Sequence, residues 1–177
     1  MNKNKKKLII EYAVYATVIA LGIIIDQITK LVAVKELTDC GSVTFIKGLI
    51  DFTYVENRGM AWGMFADHRW VFMVFSTVAI VVLTGFLVSG KSPSKLYSTA
   101  ISLVISGGVG NMIDRVALGY VVDFIEFTFF DFPVFNVADS LVTVGAFGLI
   151  ILLTVDIVRE SINESRKKKG KKDADDA

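Results

Sequence analysis

The chain has 177 residues, 53% of them hydrophobic, with two prolines and thirteen phenylalanines; this fits one domain and excludes a disordered or collagen-like polypeptide. Nineteen basic and 18 acidic residues leave a net charge of +1, yet thirteen of the basic ones fall in three short segments, 3–7, 91–95 and 159–172. One cysteine, Cys40, excludes an internal disulfide and a multi-cysteine metal site, and one histidine, His68, excludes HExxH zinc chemistry.

A helix needs about 20 mostly apolar residues to cross a bilayer. Four stretches approach that length: Leu8–Ile25, Trp70–Val88, Leu96–Ile113 and Phe135–Val155. The first follows a lysine-rich head, as a signal peptide would. Its apolar run is long and no small-x-small cleavage pattern follows, so it reads as a retained span. The third contains Gly107, Gly108 and Gly110, which suit close helix packing. An all-α membrane protein with a four-helix bundle follows, occupying residues 1–159.

The lysines mark topology. Clusters at both termini and in the 89–95 loop face the cytoplasm by the positive-inside rule, so the connections 26–69 and 114–134 face outward. In the first of these, Ile50, Phe52 and Tyr54 alternate with Asp51 and Thr53 after a turn signal at Lys47-Gly48. That period of two predicts a small β element, a sheet lying at the outer membrane surface. The segment Val121–Phe135 is too apolar for a free loop and should rest on the bilayer or the bundle. Residues 160–177 are polar and lysine-rich, and are expected to form a disordered basic tail.

Charged residues beside membrane spans are costly and point to function. Here they gather at one membrane face: Asp26 and Lys30 after the first span, Asn111, Asp114 and Arg115 after the third, Asn136 and Asp139 at the fourth, and Asp123 between the last two. Bland readings stand beside the functional one. Asp26 and Lys30 have the i, i+4 spacing of a helix salt bridge. Arg115 complements a helix C-terminus, and Asp114 could pair with it. Asn136 and Asp139 have the spacing of a capping box.

None of these explains Asp123, a carboxylate in Val-Val-Asp-Phe-Ile with no local basic partner. Pro133 biases Phe132 to extended geometry, which lets the chain return and bring Asp123 near Asp139. Two carboxylates in a poorly hydrated site share one proton. One then activates water against a peptide carbonyl while the other protonates the carbonyl oxygen, with charge favoured on Asp139 by its helix N-terminus. This chemistry needs no metal or organic cofactor. Elsewhere, His68 reads as an interfacial anchor, Cys40 as an incidental loop residue, and Trp62 and Trp70 as part of an aromatic belt. The terminal lysines suit anionic lipid, not nucleic acid.

Five ordered segments carry a family resemblance: Asp26-Gln-Ile-Thr-Lys30, Glu56-Asn-Arg-Gly-Met-Ala-Trp62, Gly110-Asn-Met-Ile-Asp-Arg115, Gly119-Tyr-Val-Val-Asp-Phe124 and Phe135-Asn-Val-Ala-Asp-Ser140. They resemble the motifs of lipoprotein signal peptidase (signal peptidase II). The resemblance implies an aspartic endopeptidase integral to the bacterial inner membrane, with four spans; the lysine clusters put both termini in the cytoplasm, and a monomer is expected. Its substrates would be prolipoproteins carrying a diacylglyceryl group, cut just before the lipidated cysteine. Asp123 and Asp139 match the catalytic pair; Asn57, Gly59, Asn111, Arg115 and Asn136 match substrate-site positions, with Asp26, Lys30 and Asp114 in support. Two rivals make different demands. A serine-lysine peptidase would use Lys30 as base and Ser140 or Ser42 as nucleophile. A non-enzymatic membrane protein, either a small transporter or an assembly scaffold, is the second; a transporter would place its buried charges near the bilayer midplane.

Overall fold

The computed structural model describes residues 3–59 and 69–175. In chain order it contains α1 (Lys3–Leu37), β1 (Ser42–Ile46), β2 (Ile50–Asn57), α2 (Arg69–Val88), α3 (Lys95–Ala117), β3 (Val121–Phe127) and α4 (Val137–Asp175). Among the described residues, α1, α3 and α4 are each long and apolar enough to cross a membrane, and α2 adds the shorter apolar stretch Met73–Val88. Trp62 and His68, assigned to an aromatic belt and an interfacial anchor, lie outside the described residues.

The helices overrun the apolar stretches that announce them. Nothing in 26–37 breaks a helix: there is no proline or glycine, and Lys35 in the last turn suits the negative end of the dipole. Asp26 and Lys30 therefore lie inside α1 and not beyond its end. Likewise α4 runs past residue 159 to Asp175, because Glu, Arg and Lys are good helix formers even where no apolar face is buried.

Helix α3 is the axis of the bundle, packing against α1, α2 and α4. Its glycines set the spacing. A Cβ at Gly107 would collide with the backbone carbonyl oxygen of Ala138, and one at Gly110 would stand 2.5 Å from Asp26 Oδ2. The three strands form one antiparallel sheet in the order β1-β2-β3. The β1–β2 hairpin turns at Lys47-Gly48, where the sequence offered a turn. That β3 is a strand was not read from the sequence. Its residues Val121 to Phe124 are buried on both faces, so the period-2 signal is lost.

Two apolar clusters bracket the molecule's polar layer. One joins Tyr15, Leu87, Ile101 and Ile105 within the bundle. The other docks the sheet on α1 through Ala33, Leu37, Val122 and Phe124. At the end of β3 and just after it, Phe127, Phe129, Phe130, Phe132 and Phe135 pack on one another, while Phe129, Phe130 and Phe132 remain exposed.

Candidate active site

Between the two clusters, α1, α3, α4 and β3 bring ionisable side chains into one buried layer. Asp26 is 0% exposed, Lys30 3% and Asp123 1%. These three side chains are shut off from bulk water while Asp139 and Arg115 stay half-buried, so the buried polar groups must find partners within the protein. Among the described residues no fully buried side-chain nitrogen or oxygen lacks one.

Asp139 stands in the first turn of α4 because Asn136 starts that helix. The Asn136 Oδ1 accepts the Asp139 backbone N–H at 2.9 Å, and Asp139 Oδ2 accepts the Asn136 N–H at 3.2 Å. This reciprocal pair is a capping box, as the spacing predicts. The capping and functional readings are not alternatives. The Asn136 Nδ2 also reaches Asp123 Oδ1 at 2.7 Å, so one asparagine holds both carboxyl groups. The return of the chain after Pro133 closes the loop: Ile125 and Phe135 form an isolated antiparallel bridge.

The remaining carboxyl oxygens are held by amides. Asn57 Nδ2 donates to Asp123 Oδ2 at 2.8 Å, and Asn57 Oδ1 accepts the Gly59 N–H at 2.9 Å. Asn111 Nδ2 donates to Asp139 Oδ1 at 2.7 Å. Burial first, and then the charge of Asp139, push the Asp123 carboxyl up to about 7, against the pull of its amide donors.

Lys30 makes the predicted bridge to Asp26 at 2.9 Å, but it also meets Asp114 at 3.0 Å and Asn111 Oδ1 at 2.9 Å. Asp114 pairs with Lys30 and not with Arg115, because Lys30 reaches it across the α1–α3 interface. Arg115 is half-buried and donates to the Asn111 carbonyl at 3.4 Å. Gln27 escaped sequence reasoning; its Nε2 joins Asp26 Oδ2, Asp114 Oδ1 and the Gly110 carbonyl. An amide next to Asp26, just past the apolar stretch Leu8–Ile25, was the available signal.

The geometry disfavours both rivals. Lys30 Nζ is held by Asp26, Asp114 and Asn111 and, among the described residues, faces no serine hydroxyl that it could activate. Ser140 Oγ donates to the Asn136 carbonyl at 3.1 Å, and Ser42 lies on the exposed strand β1, bonded to Thr53. The buried charges sit together at the sheet end of the bundle, not midway along it.

Comparison with known proteins gives a consistent picture. The family model described as signal peptidase (SPase) II matches residues 18–155. A lipoprotein signal peptidase of Clostridium tetani is 42% identical over 153 residues, covering 85% of this chain and 96% of that protein. The lipoprotein signal peptidase of Caldanaerobacter subterraneus is 44% identical over 137 residues, covering 77% and 92%. A bacterial membrane enzyme solved in meso at 2.3 Å resolution superposes with a TM-score of 0.75 at 32% identity, covering 82% of this chain and 90% of its own.

Proposed function

The chain belongs to the signal peptidase II family and is a membrane-embedded protease, and from that premise we propose that Asp123 and Asp139 hydrolyse the signal peptide of lipid-modified prolipoproteins as a carboxyl pair. The observation that carries the mechanism is their shared hold on Asn136 in a water-poor layer. Asp139 is the ionised member: it stands in the first turn of α4, at the positive end of that helix. Asp123, pushed up to about 7, holds the proton.

In that state Asp139 takes a proton from water as the oxygen attacks the scissile carbonyl, and Asp123 gives its proton to the carbonyl oxygen. Collapse of the tetrahedral intermediate returns a proton to Asp123. The C–N bond breaks, and Asp139 delivers its proton to the leaving amine. Arg115 and Asn57, at the edge of the pair, hold the substrate backbone, and Gly59 keeps Asn57 turned toward Asp123. Asp26, Lys30 and Asp114 support the site from below.

The lysine-rich ends favour cytoplasmic termini in the inner membrane, which sets this layer near the outer face, where a lipidated cysteine would lie. The protein acts as a monomer among membrane lipids. Turnover of a lipidated precursor by purified protein in detergent tests the pair. Asp123→Asn and Asp139→Asn should each lose at least about a thousandfold in rate. Near-normal turnover by either variant would remove the two-carboxylate mechanism. Chelators should leave the wild type unchanged.

A further inference from the structure

We propose that Lys30 is a positioning residue that fixes the separation of the two aspartates, acting through the residue that precedes each of them. The inference rests on the carboxyl pair being the reacting groups. Asp26 Oδ1 accepts the backbone N–H of Ala138 at 2.9 Å, and Ala138 immediately precedes Asp139. Asp114 Oδ2 accepts the backbone N–H of Val122 at 3.1 Å, and Val122 immediately precedes Asp123. One carboxylate thus grips α4 and the other grips β3, each one residue short of the reacting side chain.

Lys30 ties these two grips together. Its Nζ lies 2.9 Å from Asp26 and 3.0 Å from Asp114. Its third proton goes to Asn111 Oδ1 at 2.9 Å, and the same amide donates to Asp139 at 2.7 Å. Every proton of the ammonium therefore leads to a segment carrying one of the pair. A lysine that only joined α1 to α3 would need a single carboxylate, and neither carboxylate would need a backbone donor beside a reacting residue. The fit is tight: at Gly110 there is no space for a Cβ beside Asp26. The charged groups around the tie are Asp26 on α1, Asp114 and Arg115 on α3, Asp123 on β3 and Asp139 on α4.

Lys30→Met severs the tie but strands two buried carboxylates, which is itself strongly destabilising. Lys30→Met combined with Asp114→Asn restores the wild-type charge of the Asp26–Lys30–Asp114 group and keeps an oxygen for the Val122 N–H. In the lipidated-precursor assay, with thermal unfolding measured on the same samples, Lys30→Met should lose both stability and kcat. The double variant should regain most of the thermal stability. Its kcat should stay at least about a hundredfold down while KM moves by less than about threefold, the signature of misplaced reacting groups. A double variant whose kcat returns to within about threefold of wild type would overturn the proposal. So would one as unstable as Lys30→Met, which would assign Lys30 to holding the helices together and nothing more. Asp123→Asn, run alongside, separates the two levels: if it retains turnover the carboxyl pair fails, whereas an inactive Asp123→Asn beside a fully active double variant sinks the tie alone.

Discussion

The two ends of the bundle solve the same packing problem differently. At the sheet end, α1, α3 and α4 meet through buried charges, each bonded to at least two partners. At the opposite end single polar contacts join the helices: Tyr12 of α1 to the Val88 carbonyl of α2 at 2.9 Å, Tyr97 of α3 to Asp156 of α4 at 2.6 Å, and Lys95 of α3 to Glu11 of α1 at 3.3 Å. The Tyr12 and Lys95 contacts are exposed, and Tyr97, itself buried, meets an exposed carboxylate, so each such hydrogen bond or ion pair contributes little. Beside the apolar cluster of Tyr15, Leu87, Ile101 and Ile105, holding the helices together takes no more polar contact than this. The buried charges at the other end cost far more to desolvate, which is a reason to look for their purpose in chemistry.

Substitutions sharpen the contrast. The largest effect after the carboxyl pair itself should come from Asn136→Ala, which removes the link between Asp123 and Asp139 and the cap of α4 together. Turnover of lipidated precursor should fall at least about a hundredfold, since small displacements of reacting groups have effects of that size. A variant within a few-fold of wild type would reduce Asn136 to a helix cap.

Next comes pH. Protonated Asp123 is the donor and its carboxyl lies at about 7, so kcat/KM should fall above that pH, approaching about tenfold per unit once the proton is lost. A profile flat to pH 9 would contradict the assignment. The sign for stability runs the same way. The fold prefers neutral Asp123, so its stabilising share is complete below the ordinary 3.8 and fades as pH rises through about 7.

The smallest effect should be at the other end. Tyr97→Phe removes the bond to Asp156, should cost about 0.5–1.5 kcal/mol of stability, and should leave kcat unchanged. A matching loss of turnover would mean that the two ends are coupled.

The apolar stretches and the polar residues at their ends were legible because hydropathy and charge are local properties. The Asn136–Asp139 cap and the Asp26–Lys30 bridge were legible for the same reason, each spanning one helical turn. Three features were not. β3 was hidden because burial on both faces erases alternation. The Lys30–Asp114 pair was hidden because it crosses between helices 84 positions apart in the chain. The grips on Ala138 and Val122 use backbone N–H groups, which every residue but proline carries and no side chain announces.

The capping box at the start of α4 has one more consequence. Because the acid that would handle the proton also fastens the first coil of its own membrane anchor, its address is set by where that anchor begins. Insertion or deletion of a single residue between Asn136 and Asp139 would rotate the acid by a fraction of a turn and unfasten the anchor in the same stroke. An inhibitor that seized Asp139 would be pulling on a beam of the scaffold as well as on a reactive group.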